Sequence, residues 1–381
     1  MRILHTSDWH LGRIFHGLRL TADQEVVLGQ ITRILAEEKI DVVVMAGDIY
    51  DRAVPPTEAV DLLDKTLSCW INELHVPVIM IAGNHDNPNR VGFGTNLFAA
   101  ANLHIFGPVT SEAKPVVLND AFGPVYFVPL TYCEPLQAAA LSGEKITTHE
   151  EALQWQLKNM LAQIPAHARK LALAHVFLAG AQQSPDSERP LAIGGTTTVD
   201  IANFAPFNYT ALGHLHACQK NSATVRYCGS LLKYSFNETA QKKAVQIIDL
   251  GKDGNCNIAT IELTAPHELA CLTGTFAELT QKPSLDMAQN YLQITLTDTS
   301  PVLDAKNRLE KIYPHILQLG YKALELDIAD TSAAALSAKK LTAQELFAAF
   351  FTQTAKRPMT EAETRLLKAT LDAAQQAERQ A

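Results

Sequence analysis

The sequence predicts an α/β fold, in which helices pack on the faces of a β-sheet. Short β-branched segments alternate with segments of helical periodicity, and this alternation is typical of such folds. The chain has 381 residues, of which 47% are apolar, so it can bury a large core and is long enough for two or three domains. Clusters of polar residues follow several strands directly, at the end where α/β sheets bind their ligands.

The first predicted domain covers residues 1–265. Its elements are separated by turn residues and by changes between strand and helix periodicity. In chain order they are strand Ile3–Thr6, helix Thr21–Lys39, strand Val42–Ala46, helix Thr57–Leu74, and strands Val78–Ala82, Val125–Val128, Leu171–Ala174, Tyr209–Leu212 and Val245–Leu250.

A different pattern begins after Ala265 and predicts a small α+β domain over residues 266–330. It contains an alternating strand at Tyr291–Leu296, a helix over Val302–Leu319 and a strand at Ala323–Ile328. Residues 331–341 show little periodicity, and they are predicted to form a linker.

Two helices are predicted in the C-terminal segment, residues 342–381. Each begins with a capping box, Thr342 with Glu345 and Thr360 with Glu363, in which side chains satisfy the first backbone amides. Apolar residues recur at helical spacing on both helices, and two short helices cannot bury such faces against each other alone. These residues are Leu346, Phe347, Phe350, Phe351, Leu366, Leu367 and Leu371. The helices therefore pack either on the chain's own domains or on another protein.

Composition limits the possible classes of protein. No apolar run is long enough for a signal peptide or a membrane span, and a cytoplasmic protein is expected. The six cysteines form no C-x-x-C pair, which favours structural thiols in a reducing compartment over disulfides or a thiolate zinc site. The formal net charge of −8 offers no large basic field to a nucleic acid. This charge counts only weakly against nucleic-acid binding, because bound metal ions can offset the charge of the carboxylates that hold them.

Five polar clusters share one placement, each directly after an apolar strand. The carboxyl ends of strands converge in one crevice, so these distant segments are expected to meet. The clusters are Asp8-Trp9-His10, Gly47-Asp48, Gly83-Asn84-His85-Asp86, His175 and Gly213-His214-Leu215-His216. Any one of them can be a structural feature, but five in the same position favour a common site.

The side chains of these clusters are those of a metal site. Carboxylate and amide oxygens are combined with imidazole nitrogens and no thiolate, which suits manganese, iron or zinc. The candidate ligands are too many for one ion. Two ions bridged by a carboxylate would use them, and that arrangement favours phosphoryl chemistry.

The same residues, in the same order, resemble the calcineurin-like metallophosphoesterase pattern of D-x-H, GD, GNH[DE], a lone His after a strand and G-H-x-H. This resemblance implies a β-sandwich flanked by helices, with Asp48 as the bridge between two ions. It assigns Asp8, His10, Asp48 and His216 to one ion and Asp48, Asn84, His175 and His214 to the other. Ala174 replaces the Gly that commonly precedes the lone His, which leaves the ligand His175 in place.

Three polar residues beside these ligands have other expected roles. His85 is not needed as a ligand, and it is the candidate general acid that protonates the departing sugar oxygen. Asp86 either orients His85 or caps a loop beside the site. His16 lies in a nearby loop, where it is either a solvated structural residue or a substrate contact.

Flanking segments resemble the SbcD nucleases more narrowly, over most of residues 1–240. These segments are Leu4–Gly12, Ala46–Asp51 with Pro55-Pro56, Ala211–His216 and Val225–Ser230 with Ser235-Phe236. The resemblance implies manganese-dependent exonuclease action at duplex ends, and endonuclease action on single strands and hairpins. It also implies that the small α+β domain is a capping domain that contacts DNA.

The same resemblance implies protein partners. The C-terminal helices would dock on SbcC, a coiled-coil ATPase, in a complex with two copies of each subunit. This chain has no G-x-x-x-x-G-K-[ST] loop, so any ATP dependence comes from the partner. Self-contact would involve Thr57–Leu74 and Asn96–Ala101, although ordinary packing on the sheet also explains those helices.

Two alternative functions remain open at this point. A phosphodiesterase or phosphatase for small substrates has the same metal ligands and differs in having a closed pocket. A non-catalytic scaffold with the same fold would bind no metal.

Overall fold

The fold is taken from a computed structural model that describes residues 1–184, 197–322, 344, 347–348, 351–352 and 357–378, with only the backbone for 372–378. Some predictions fall outside these residues. They are the strand Ala323–Ile328, the linker 331–341, the capping box of Thr342 and Glu345, and the positions of Leu346 and Phe350.

Strand Arg2–Thr6 is central in a six-stranded sheet, sheet A. It pairs in parallel with Val42–Met45 and antiparallel with Ala244–Leu250. The strand order across sheet A is Cys256–Glu262, Ala244–Leu250, Arg2–Thr6, Val42–Met45, Val78–Ile81 and Leu103–Phe106.

A second six-stranded sheet, sheet B, is built around strand Arg169–His175. This strand is buried along its whole length and pairs in parallel with Gly123–Leu130 and Tyr209–Gly213. The order across sheet B is Gln219–Lys220, Val225–Tyr227, Tyr209–Gly213, Arg169–His175, Gly123–Leu130 and Val116–Asp120.

The two sheets pack face to face, and helices cover their outer faces. Ile3 and Val44 of sheet A share one buried cluster with Phe127 and Leu173 of sheet B. Helix Thr21–Glu37 covers the other face of sheet A. Its buried residues recur at helical spacing and share one cluster with Leu4 and Val43 of the sheet. These helix residues are Val27, Leu28, Ile31 and Leu35. The outer face of sheet B packs against helix His149–Leu161. The predicted β-sandwich flanked by helices is therefore confirmed.

The two helices predicted in this region have boundaries close to the prediction, with one difference in type, whereas helix His149–Leu161 was not predicted. The segment predicted as helix Thr57–Leu74 is α-helical over Thr57–Ser68 and continues as a π-helix over Cys69–Glu73. The remaining short elements of this region are the hairpin Ile14–Phe15 and Leu18–Arg19, the strands Phe177–Leu178 and Thr198–Val199, the helices Pro88–Val91, Thr95–Phe98 and Pro135–Ser142, and the 3₁₀ turns Ala99–Ala101, Ile201–Phe204 and Phe236–Glu238.

The prediction of a helix over Val302–Leu319 is wrong in extent. The helix covers only Ala305–Glu310, and a strand follows at Ile316–Tyr321. Pro314 explains the difference, since proline cannot continue a helix interior. That strand, with Tyr291–Leu296 and Leu269–Gly274, forms a three-stranded sheet in which Tyr291–Leu296 is central.

The chain divides into two compact units. The first contains Met1–Leu272, Ser284–Gln293 and Tyr313–Gln318, and the second contains Thr273–Pro283, Ile294–Ile312 and the described part of Leu319–Ala381. The remaining elements are the helices Phe276–Gln281 and Glu361–Glu378 and the 3₁₀ turn Leu285–Met287. A boundary at residue 265 stays a prediction. In the described part of the chain, no helix combines the length and apolarity needed to cross a bilayer.

Candidate metal centre

All seven predicted ligands lie at the carboxyl ends of strands, three clusters on sheet A and two on sheet B. Asp8 and His10 follow Arg2–Thr6, and Asp48 follows Val42–Met45. Asn84 comes after the next strand, Val78–Ile81, while His175, His214 and His216 end or follow strands of sheet B. Because the sheets stack with these ends together, both contribute side chains to one crevice.

The loops that carry the ligands have an unusual backbone. Asp8, His10, Asp48 and His214 have positive φ angles of 51°, 46°, 51° and 104°, a region that non-glycine residues seldom occupy. Strain of this kind persists where the surroundings enforce it, and it is concentrated at functional sites. Gly83 has a related role, since a Cβ there would lie 2.2 Å from Asp48 Oδ1. Its lack of a side chain lets the carboxylate occupy the crevice.

The first group of ligands gathers around two facing imidazoles. Nε2 of His10 lies 3.0 Å from Nε2 of His216 and 3.6 Å from Asp48 Oδ2. Asp8 lies in the same cluster, and its Oδ1 accepts the backbone N–H of His214 at 2.9 Å. Metal–nitrogen bonds are about 2.0–2.1 Å long, so two nitrogens at this separation can share one ion.

The second group gathers around Asn84. Its Oδ1 lies 2.9 Å from His175 Nε2 and 3.1 Å from His214 Nδ1. His175 Nε2 is also 3.4 Å from Asp48 Oδ2, and its Nδ1 lies 2.9 Å from the carbonyl oxygen of Ala46. A carbonyl only accepts hydrogen bonds, so Nδ1 of His175 carries the proton and Nε2 faces the cluster. Asp48 is thus within reach of both groups.

The electrostatics of the cluster suit a cation. Burial lowers the pKa of His214 to about 3 and that of His10 well below its usual value, so both rings keep a lone pair for a metal. Burial raises the pKa of Asp8 to about 6, against the opposing charge of His175. Burial alone would lower the pKa of His175, but the charge of Asp48 raises it to about 9. The buried carboxylates Asp8 and Asp48 therefore favour positive charge in the crevice.

One buried polar atom provides the test of fit for a metal. Asp8 Oδ2 has no hydrogen-bond partner among the described residues. Buried polar groups are otherwise almost always paired, and a carboxylate oxygen that faces imidazole nitrogens is a ready metal ligand. The residues present therefore fit divalent metal ions.

His85 is placed beside the ligands by a residue that sequence analysis did not single out, Asp51. Nδ1 of His85 lies 2.9 Å from the backbone oxygen of Asp51, so Nδ1 donates and Nε2 is left for the crevice. The backbone N–H of His85 donates to Asp48 Oδ1 at 2.9 Å. The Asp51 carboxylate accepts a 2.7 Å hydrogen bond from Arg13 and lies 3.8 Å from His10 Nδ1. Asp51 belongs to the quoted Ala46–Asp51 segment, but no ligand spacing marks it.

The hydrogen bonds of Asp86 favour the loop-capping role. Its carboxylate accepts backbone N–H groups of Gly83, Ile49 and Tyr50 at 2.9, 3.1 and 2.9 Å. Burial raises the pKa of Asp86 to about 6, with Asp48 adding to that shift, while the three amides oppose it. Asp86 therefore ties the loop of Asp48 to the loop of Asn84.

Glu238 is a second residue that sequence analysis missed. It is completely buried, and its Oε1 lies 3.2 Å from Nδ1 of His216. Lys243 Nζ donates to Glu238 Oε2 at 2.5 Å. Burial alone would raise the pKa of Glu238, but the ammonium of Lys243 and the hydrogen bond to His216 hold it well below its usual range. Only its nearness in sequence to Ser235-Phe236 could have drawn attention to it.

His16 lies at the tip of the hairpin Ile14–Arg19 and has a left-handed backbone, with a φ of 47°. Its ring centre is 4.6 Å from that of Phe15 and 5.5 Å from that of Phe236. The side chain is exposed. These contacts hold the ring in place at the surface and leave a substrate contact as a prediction.

Comparisons with known proteins identify the family of this chain. Residues 1–218 match the family described as calcineurin-like phosphoesterase, and residues 265–355 match the type 5 capsule protein repressor C-terminal domain. The chain is 34% identical over 322 residues to the SbcD component of nuclease SbcCD from Staphylococcus epidermidis, an alignment that covers 84% of this chain and 85% of that protein.

Two solved structures also align with the chain, each at 14% identity. The alignment with the crystal structure of TT1561 from Thermus thermophilus covers 68% of this chain and 98% of that protein, with a TM-score of 0.40. A dimetal phosphatase from Danio rerio covers 69% and 99%, with a TM-score of 0.35. The family assignment rests on the sequence matches. By these matches the chain belongs to the calcineurin-like phosphoesterases and, within them, to the family of SbcD nuclease subunits.

Proposed function

We propose that this chain is the nuclease subunit of a DNA-end-processing complex and hydrolyses phosphodiester bonds with two divalent ions, manganese in the native state. The observation that carries the proposal is the convergence of all seven ligand side chains at one crevice, in a chain whose relative is a nuclease subunit. DNA is the substrate, and the chain acts in the cytoplasm, where that substrate lies.

The chain's own residues supply three functions. Asp8, Asp48, Asn84 and the histidines His10, His175, His214 and His216 would hold the ions. When bound, two such ions neutralise charge that develops on the phosphoryl oxygens and activate the attacking water. His85 presents Nε2 to the crevice. With both ring nitrogens protonated, it gives the Nε2 proton to the departing sugar oxygen while Nδ1–H stays bonded to the Asp51 carbonyl. Asp86 keeps the two ligand loops together.

The deciding experiment is cleavage of an end-labelled linear duplex and of a hairpin, with manganese, magnesium or zinc, with and without the SbcC-type ATPase. We expect manganese-dependent release of nucleotides from the duplex and nicking of the hairpin. Hydrolysis of a nucleotide ester but not of DNA, with the ATPase present, would establish the small-substrate phosphodiesterase instead. Absence of bound metal would indicate a scaffold.

The C-terminal helix Glu361–Glu378 supports the proposal of an ATPase partner. Its capping box forms as predicted, since the backbone N–H of Thr360 donates to Glu363 Oε2 at 2.7 Å. None of its described side chains, residues 361–371, is buried. Leu366 is 69% exposed, and Phe347, from the preceding segment, is 45% exposed. Exposed apolar side chains on a helix are suited to a partner's apolar surface.

We expect removal of residues from Ala338 onward to leave a metal-loaded nuclease domain that no longer copurifies with the SbcC-type ATPase. Leu366→Glu or Phe347→Glu should weaken binding by about tenfold or more, because a charge in an apolar interface is desolvated and unpaired. Arg365→Glu, at an exposed residue on the side of the same helix away from Leu367 and Leu371, is the matched control and should bind normally. A truncated chain that precipitates, while the ATPase still captures it, would place these helices in the chain's own core.

A second proposal concerns self-association within a complex of two nuclease and two ATPase subunits. Helix Thr57–Ser68 buries Ala59, Leu62 and Leu67 against sheet A, so packing on the sheet accounts for one face. Beside this contact, a cavity of about 480 Å³ is lined by the helix, by Met80, Leu103 and Ile105 of sheet A, and by residues of the segment 90–101. Phe93 and Leu97, both in that segment, are each 78% exposed.

We expect Phe93→Glu combined with Leu97→Glu to convert the chain from dimer to monomer, as measured by sedimentation velocity. The substitutions lie on the surface, so the folded state and the metal content should not change. Phe122→Glu, at a 60% exposed apolar residue elsewhere, is the control. A dimer that survives the double substitution would exclude this surface as the self-contact.

A further inference from the structure

Glu238 and Lys243 form a buried pair behind one of the metal ligands. Glu238 is completely buried, and its Oε1 lies 3.2 Å from His216 Nδ1. Lys243 Nζ lies 2.5 Å from Glu238 Oε2, 2.8 Å from the backbone oxygen of His216 and 2.9 Å from Ser230 Oγ. Lys243 thus binds the Glu238 carboxylate and also the backbone of His216, the residue that Glu238 contacts.

This arrangement determines which nitrogen of His216 is available to a metal. A carboxylate accepts hydrogen bonds, so Nδ1 of His216 carries the proton and Nε2 keeps its lone pair. Nε2 is the atom that lies 3.0 Å from Nε2 of His10, in the cluster with Asp8. Glu238 also fixes the rotation of the ring, because its hydrogen bond and the metal-facing atom lie on opposite sides of the imidazole.

The neighbouring histidines show why Glu238 is distinctive. The Nδ1 atoms of His175 and His85 donate to backbone carbonyls, those of Ala46 and Asp51. A side-chain carboxylate contributes a full charge in addition to a hydrogen bond, and it makes the ligand imidazole more basic. Lys243 balances that charge, so that the buried carboxylate is not left uncompensated.

We propose that Glu238, held by Lys243, is a positioning residue that fixes the tautomer and orientation of His216 for metal binding. This inference rests on the proposed two-metal function, and it assigns Glu238 an effect on one ion rather than on both. The ion affected is the one bound by the group of His10 and His216. The ion bound by the group of Asn84, His175 and His214 should be affected little.

The test is calorimetric titration of manganese into the metal-stripped full-length chain. We expect Glu238→Gln to weaken one of the two sites by roughly 10- to 100-fold, the usual effect of losing such a partner, and to leave the other near its wild-type affinity. In the metal-free protein, ¹⁵N NMR should find the His216 proton on Nδ1 in the wild type and distributed over both nitrogens in Glu238→Gln. Substitution of His216 identifies its signals.

The matched control is Asp120→Asn, which breaks another ion pair, the partly buried one of Asp120 with Arg169 at 2.6 Å. Arg169 begins the strand that His175 ends, so the pair is about 20 Å from the site. This variant should lose stability but keep both affinities and the His216 tautomer. If Glu238→Gln fails to fold, the double variant Glu238→Gln with Lys243→Met removes both charges together, and the same result is expected.

The outcomes separate this inference from the proposed function. A wild-type chain that binds two ions, together with a folded Glu238→Gln chain of equal affinities and unchanged tautomer, overturns the positioning role alone. A wild-type chain that binds no divalent ion overturns both. Equal weakening of the two sites would also contradict the assignment of Glu238 to a single ion.

Discussion

Replacing Asp48 with Asn is expected to abolish nuclease activity and to reduce the bound metal to at most one ion per chain. Asp48 Oδ2 lies 3.6 Å from Nε2 of His10 and 3.4 Å from Nε2 of His175, so the carboxylate faces both ligand groups. A bridge between two cations needs its negative charge, which an amide lacks. Loss of an ion removes several kcal/mol of transition-state stabilisation, so the rate should fall by about a thousandfold or more.

The measurement pairs metal analysis of the purified chain with single-turnover cleavage of an end-labelled duplex. Asp61→Asn, at an exposed carboxylate of helix Thr57–Ser68, is the control for loss of one negative charge and should behave as the wild type. Asn at position 48 still accepts the backbone N–H of His85, which now bonds to Asp48 Oδ1 at 2.9 Å. The loop should therefore keep its shape, and a variant that retains two ions would disprove the bridge.

Sequence predicted the five strands that carry the site well, because each is a short apolar run followed by a polar cluster. Strand Arg2–Thr6, for example, begins within one residue of its prediction. Strands of the two sheets that it did not predict are Leu103–Phe106, Val116–Asp120, Gln219–Lys220, Val225–Tyr227 and Cys256–Glu262. The predicted helix Val302–Leu319 failed for a local reason, since helical spacing of apolar residues outweighed Pro314 in the prediction. The hairpin Ile14–Arg19 was not predicted at all. Its strands have two residues each, which is too short for any periodicity to be recognised.

The seven predicted ligands are brought together in the structure, but sequence could not predict how they are held. The left-handed backbone at Asp8, His10 and Asp48 depends on parallel loops, in which Asp8 N–H donates to Gly47 O and His10 N–H to Asp48 O, both at 3.0 Å. Glu238 follows His216 by 22 residues, without any spacing that marks a metal site. Supporting residues of this kind are determined by tertiary packing.

A second substitution tests the proposal that His85 is the general acid and not a metal ligand. His85→Asn should keep both ions, because the hydrogen bond to Asp48 comes from its backbone N–H, which substitution preserves. The ring of His85 lies 4.7 Å from that of His10 and donates Nδ1–H to the Asp51 carbonyl. Without the ring no group replaces its proton donor, so the rate should fall by roughly a hundredfold or more, the usual contribution of a positioned general acid.

The dependence of this loss on the leaving group identifies the role of His85. A sugar alkoxide is a poor leaving group and needs a proton as it departs, whereas p-nitrophenolate departs without one. His85→Asn should therefore lose about a hundredfold in single-turnover cleavage of DNA but far less with thymidine 5′-p-nitrophenyl phosphate, while DNA binding and metal content stay unchanged. His149→Asn, at a histidine near Tyr132 with ring centres 5.8 Å apart, is the control for histidine loss. If metal content falls together with the rate, or if the cleavage rates of both substrates fall equally, His85 is a metal ligand or a structural residue and not the proton donor.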